Sequence, residues 1–256
     1  IKGLEWLDEL HKLNLSDNKI VDIQGLDNLK RLKNLNLSFN EIIKIKGLKN
    51  LKRLNTLDLS FNLIREIKGL DQLVELEDLN LYDNKIDEIT GLDKLSKLKC
   101  LNLGKLSENS KIEEIKGLEK LNKLEDLNLC KNKIGNIINL KYNLKLKNLN
   151  LSKNENILIE GIKELTHLEA LDLGYTNRKE LGEEIQLLTN LKELYLRSNE
   201  KISIEGIKNL TNLEVLDLGY TNRKELGEIK NLANLKELYL YNNNLYDNEK
   251  YADKFA

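Results

Sequence analysis

Proline and methionine are both absent from the 256 residues. A chain with this many loops ordinarily uses proline to punctuate them, so its turns must be set by other residues. The missing methionine, with an opening "IKGL" that returns at 67–70 and 115–118, leads us to expect a fragment that begins inside a repeating unit. Two cysteines, Cys100 and Cys130, are too few for a disulfide framework. They favour a reducing compartment, and a cytoplasmic location is expected. No run of 18 apolar residues occurs, so no transmembrane helix and no membrane insertion are expected. A net charge of −1 supplies no overall field toward nucleic acid. His11 and His167 have no cysteine or carboxylate at metal-ligand spacing, and no Ser-His-Asp or Cys-His set can be assembled. No glycine-rich phosphate loop is present either. The expectation is a protein without cofactor, metal or catalytic activity.

Leucine carries the signal instead. The pattern L-x-x-L-x-L-x-x-N starts at Leu10, Leu32, Leu54, Leu76, Leu98, Leu124, Leu146, Leu168, Leu191, Leu213 and Leu235. The spacing is 22 residues, apart from 26 after Leu98 and 23 after Leu168. A fixed period of this size predicts a solenoid. In the fullest unit, "LEDLNLYDNKIDEITGLDKLSK" at 76–97, apolar residues fall at positions 1, 4, 6, 11, 14, 17 and 20. Positions 3 to 7 alternate as a half-buried strand does. About fifteen residues must then cross over and return, which suits extended chain or short 3-10 turns. Successive strands are expected to stack in parallel with right-handed crossovers. No unit can bury seven apolar positions alone, so stacking must do it. We divide the chain as one solenoid: residues 1–9 the end of a partial unit, 10–245 eleven repeats, and 246–256 a cap over the last core layer.

Position 9 is asparagine in eight units, where a short amide can bond the backbone as the chain leaves the strand. In the fifth unit "GKLSEN" displaces it to Asn109, implying a bulge near 104–109, and Thr176 and Thr221 replace it in the eighth and tenth. Position 16 is glycine in seven units, as a tight turn at the back would require.

These residues resemble the leucine-rich repeats of the short 22-residue class, over roughly residues 4–245. Known members are the leucine-rich regulatory subunit of protein phosphatase 1 and, more distantly because proline is absent near "KGL" and "TGL", the bacterial internalins. The resemblance implies an α/β repeat solenoid of horseshoe shape, with a concave parallel sheet that binds other proteins. It also makes a serine/threonine phosphatase the narrower candidate partner.

The C-terminal part carries a second period of 45 residues: "LDLGYTNRKELGE" occurs at 171–183 and again at 216–228. Duplication of a two-repeat block accounts for it, and it sets like side chains two strands apart, about 10 Å. With positions 4 and 6 buried, positions 3, 5 and 7 should line the concave face and position 8 its rim. The first repeats then offer Phe39, Phe61 and Tyr82, and the middle ones a rim of Lys105, Lys131 and Lys153. The last offer Tyr175, Tyr195, Arg197, Tyr220, Tyr239 and Tyr241, with Asp217 between them. Tyrosine and arginine often carry interface energy. These ten aromatic, arginine and aspartate residues form the expected partner site of a non-enzymatic protein-interaction scaffold, expected to act as a monomer. The alternative is a cell-surface or secreted recognition module.

Overall fold

The computed structural model describes residues 2–106 and 111–245. Eleven strands of three residues each follow one another: β1 Lys12–Asn14, β2 Asn34–Asn36, β3 Thr56–Asp58, β4 Asp78–Asn80, β5 Cys100–Asn102, β6 Asp126–Asn128, β7 Asn148–Asn150, β8 Ala170–Asp172, β9 Glu193–Tyr195, β10 Val215–Asp217 and β11 Glu237–Tyr239. They form one parallel sheet in sequence order. Each strand covers positions 3 to 5 of its unit, and pairing is strictly in register, as in Leu13↔Leu35 and Leu35↔Leu57. The sheet is the inner wall of a horseshoe-type solenoid.

The core behind the sheet is made of the predicted positions. Leu54, Leu57, Leu59, Ile64, Ile67, Leu70 and Leu73 of the third turn are all 0% exposed. Asn143 breaks the rule at position 20. It is buried where other turns carry leucine, and its Nδ2 donates to the Leu118 and Leu121 carbonyls. The outer side of the early turns is extended chain with single three-residue turns, such as Leu51 N–H to Leu48 O and Leu54 N–H to Leu51 O. From residue 138 onward it tightens into short 3-10 helices, including Ile162–Glu164 and Ile207–Asn209.

Asparagine ties the turns together. The amide of Asn62, 5% exposed, donates to the carbonyls of Leu37, Leu59 and Ser60 at 3.0, 3.0 and 3.1 Å. Its Oδ1 accepts the Ile42 N–H at 2.9 Å. One side chain thus closes its own turn and fixes the turn before it. To reach this geometry the preceding residue adopts a left-handed conformation; Phe39 and Phe61 both have φ 53°. In the eighth and tenth turns Thr176 and Thr221 bond their own turn at Leu173 O and Leu218 O, and also Asn199 and Asn243 of the next.

The fifth turn corrects one expectation. Lys105 does not stand on the rim: it is 3% exposed, and its ammonium donates to the Ile86 carbonyl at 3.1 Å. The four extra residues of this unit take the asparagine away from position 9, and the lysine turns inward to satisfy a carbonyl of the previous turn. Burial pushes its pKa down. Lys153 remains exposed and Lys131 half-buried. The bulge residue Asn109 and the proposed cap with Tyr251 and Phe255 lie outside the described residues.

A second ladder runs along one flank. From the fourth turn, position 2 alternates in sign and pairs two turns at a time: Glu77–Lys99, Glu125–Lys147, Glu169–Lys192 and Glu214–Lys236, at 2.7 to 2.8 Å. Such exposed pairs favour the correct register more than they stabilise the fold.

Two outcomes are expected on urea denaturation. Asn62→Ala, which removes three buried donor bonds and leaves the Ile42 N–H without its acceptor, costs on the order of 2 kcal/mol, whereas Asn18→Ala, bonded only within its own exposed turn, costs under about 1 kcal/mol. Gly91 has φ +74° and a Cβ there would lie 1.9 Å from the Ile67 carbonyl oxygen, while Gly161 has φ +86° and open space. Gly91→Ala therefore destabilises by several times the roughly 1 kcal/mol of left-handed strain expected for Gly161→Ala.

Candidate functional site

In-register stacking turns the 45-residue period into relief on the concave face. Strands β8 and β10 and the residues just after them carry small or short side chains, Ala170, Asp172, Gly174 and Val215, Asp217, Gly219. Strands β9 and β11 carry long ones, Glu193, Tyr195, Arg197 and Glu237, Tyr239, Tyr241. The result is groove, ridge, groove, ridge.

The glycines are required by the ridges. A Cβ on Gly219 would lie 2.4 Å from the Tyr241 ring, and one on Gly174 3.1 Å from Cγ of Arg197. Each long side chain lies across the glycine of the preceding turn. Tyr241 donates its hydroxyl to Asp217 at 3.1 Å and meets Tyr220 edge-on, with ring centroids 5.4 Å apart. Arg197 lies over the Tyr175 ring at 5.4 Å, and Lys153 approaches the same ring at 5.2 Å. Tyr195 and Tyr239 each run along their own strand and donate to Glu193 and Glu237, at 2.8 and 2.6 Å. Burial and then the Glu193 carboxylate push the Tyr195 phenol up to about 12, so it stays a neutral donor.

The structure thus brings Tyr175, Arg197, Tyr220 and Tyr241 into one contact chain, with Tyr195 and Tyr239 beside it. Asp217 is the exception among these residues. At 6% exposed it stands on no ridge and lies at the floor of a groove, where it holds the Gly219 N–H at 2.9 Å and the Tyr241 hydroxyl. Phe39, Phe61 and Tyr82 form a separate aromatic row: Phe39 and Phe61 stack at 4.2 Å, and Phe61 meets Tyr82 edge-on at 5.5 Å. That row lies four or more strands from Tyr175, roughly 20 Å.

Most of the twinned motif is structural. Arg178 and Arg223 each bond one backbone carbonyl of the preceding turn, Ile157 or Ile202, and one of their own turn, Glu180 or Glu225. Glu184 and Glu228 accept the Gly161 and Gly206 N–H groups. The 23-residue unit is explained here, because one added residue makes Glu184, and not Glu183, the counterpart of Glu228. Of the thirteen repeated residues, only the tyrosines at 175 and 220 put a large apolar surface into solvent, at 38% and 51% exposed.

An open hollow of about 800 Å³ runs along the concave side from Thr56 to Tyr241. Among the described residues its lining includes Tyr195, Arg197, Asp217, Tyr239 and Tyr241, and six carboxylates, Asp58, Asp78, Asp126, Asp172, Asp217 and Glu237, against one cation, Arg197. The crowding is felt: burial raises the pKa of Asp78, and Asp58 and Asp126 raise it further. Asp172 is also raised by burial, with the Gly174 N–H and Arg197 opposing. Glu193 and Glu237, the tyrosine partners, were not among the expected site residues. The signal was available in "LKELYL", which occurs at both 191–196 and 235–240 and puts Glu and Tyr on one face. Among the described residues no cluster of metal-ligating side chains occurs, and no helix is long and apolar enough to cross a membrane.

A curved stack of short parallel strands with an open, side-chain-rich inner face defines a binding solenoid. The chain belongs to the leucine-rich repeat family: a model described as a leucine-rich repeat region matches residues 126–256, and one for two-copy leucine-rich repeats matches 8–50 and 30–72. Solved structures agree. An internalin (inlF) of Listeria monocytogenes is 26% identical, with a TM-score of 0.74 over 93% of this chain and 75% of that one. A leucine-rich repeat protein of Leptospira interrogans is 28% identical, with a TM-score of 0.63 over 94% and 74%. The TLR13–ssRNA13 complex contains a chain 25% identical, with a TM-score of 0.68 over 93% of this chain and 41% of that one. No curated protein matches the sequence.

Cys100 and Cys130 are both free thiols. Burial, and next the hydrogen bond to Asp126, push the Cys100 thiol up to about 12 from a model-compound value of 9.0. Alkylation by iodoacetamide at pH 8 should therefore be at least about a hundredfold slower at Cys100 in the folded protein than in urea, because the thiolate is the nucleophile. A raised folded pKa stabilises below the unfolded value, so this contribution is present below pH 9.0 and is lost as pH rises toward about 12. Equal rates in the folded and unfolded protein would contradict the burial.

Proposed function

We propose that the protein is a non-enzymatic interaction scaffold that holds a protein partner in its concave hollow, chiefly against the C-terminal ridges. The hollow carries the reading: a broad, rigid surface about 800 Å³ in volume, with tyrosine rings and an arginine rising from a floor of carboxylates. Rigidity lowers the ordering cost of binding, and Tyr and Arg are favoured anchors. Six carboxylates against one arginine repel a polyanion, which supports a protein over a nucleic acid as the occupant. Two free thiols fit a cytoplasmic setting. A serine/threonine phosphatase is the narrower candidate, resting on family resemblance, and titration with a phosphatase 1-type catalytic subunit tests it directly.

A second reading, a surface or secreted recognition module, draws support from the likeness to the Listeria internalin. Protease treatment of intact source cells distinguishes the two, since only an exposed protein is digested.

The concave site is tested by affinity capture from source lysate. A Tyr195→Ser, Arg197→Ser, Tyr239→Ser variant of unchanged circular dichroism is compared with the unaltered chain. A protein retained by the unaltered chain and lost by the variant is the expected result. Retention of the same proteins by both would move the site away from the ridges, and the Phe39–Phe61–Tyr82 row would be next.

A further inference from the structure

The groove over β10 differs from the groove over β8, although duplication made both. Over β8 the wall on one side is low, Asn150 and Ser152, and Arg197 already lies beside Asp172. Over β10 both walls are high. Tyr195 and Tyr239 stand in register on either side of Asp217, two strand spacings or about 10 Å apart at the backbone. That separation leaves room for one planar or slender group between the two side chains. Tyr241, lying over Gly219, closes one end.

The floor of this slot is a carboxylate that makes no direct ion pair among the described residues; Arg197 reaches only the Tyr241 hydroxyl that Asp217 also holds. Asp217 is 94% buried, from a relative exposure of 6%, and its hydrogen-bond partners are both neutral, the Gly219 N–H and the Tyr241 hydroxyl. Buried carboxylates are ordinarily paired with a cation. The ion pairs of the neighbouring turns, Glu169–Lys192 and Glu214–Lys236, lie on the flank and do not include it. Glu193 and Glu237 add acceptors beside the rings and hold both phenols in place.

We propose that the slot over β10 receives a cationic side chain, arginine or lysine, projecting from the protein partner, with its charge over Asp217 and its stem between Tyr195 and Tyr239. Arginine fits better than lysine, because a guanidinium stacks on ring faces while it donates to a carboxylate. The assignment rests on the scaffold reading above and names the chemistry of the residue that the scaffold grips.

The test uses a fluorescein-labelled hexa-arginine peptide and fluorescence anisotropy in low salt. The unaltered chain is expected to bind it. Asp217→Asn, which keeps the shape of the floor, and Tyr195→Leu with Tyr239→Leu are each expected to weaken binding by roughly tenfold. Tyr195→Phe with Tyr239→Phe keeps the faces and is expected to bind within about threefold of the unaltered chain. Asp126→Asn, elsewhere in the hollow, is expected to weaken it only about twofold. Thermal melts confirm the fold of each variant, and the Phe pair guards against loss through misfolding. Absence of binding to the unaltered chain, or an equal loss for Asp126→Asn and Asp217→Asn, overturns the slot. If affinity capture still yields a ridge-dependent partner in that case, the scaffold stands and only the cationic side chain is wrong.

Discussion

Everything in this molecule depends on one constraint: no turn can bury its own leucines or complete its own hydrogen bonds. Leu57 and Leu59 are 0% exposed because the second and fourth turns lie against them. The Leu37 carbonyl takes one donor from Asn40 of its own turn and a second from Asn62 of the following one. Apolar burial and hydrogen bonding therefore impose the same condition, that each turn sit in register on its neighbour. The condition explains which irregularities are tolerated. Thr176 and Thr221 keep a bond to their own turn and one to the next asparagine, so the ladder continues. Where four residues intrude after Leu98, Lys105 is drawn inside to supply the missing donor.

Register has a consequence for the surface. Any two-turn pattern in the sequence becomes a two-strand pattern in space. It appears on the flank as alternating glutamate and lysine, and on the concave face as alternating grooves and ridges. Glycine at 174 and 219 belongs to this pattern for a steric reason, since the next turn's Arg197 and Tyr241 occupy the space a Cβ would need. The twinned motif is thus mainly a recipe for a modified turn. What it contributes to the concave face is the shape it leaves beside it, a low strand between two high ones.

Charge follows shape. The whole chain is nearly neutral at −1, yet the hollow gathers six carboxylates around one arginine. The lysines that balance them are spent on the flank, paired with glutamates of adjoining turns. Net charge alone would have pointed to no preference of partner, whereas the distribution supports the proposal of a basic one.

The sequence by itself determined the fold. Its period placed all eleven strands, its leucine positions the core, and its asparagines and glycines the turns, because a repeat states the same local instruction many times over. It also named the aromatic residues that the concave face carries. The tertiary structure alone decided which of them meet, that Asp217 is buried while its neighbours are open, and that Lys105 points inward. The reason is physical. Position in a repeat fixes the direction of a side chain, but burial, hydrogen-bond partners and countercharge depend on what stands at the same position one turn away. That neighbour lies about 22 residues distant in sequence and about 5 Å distant in space.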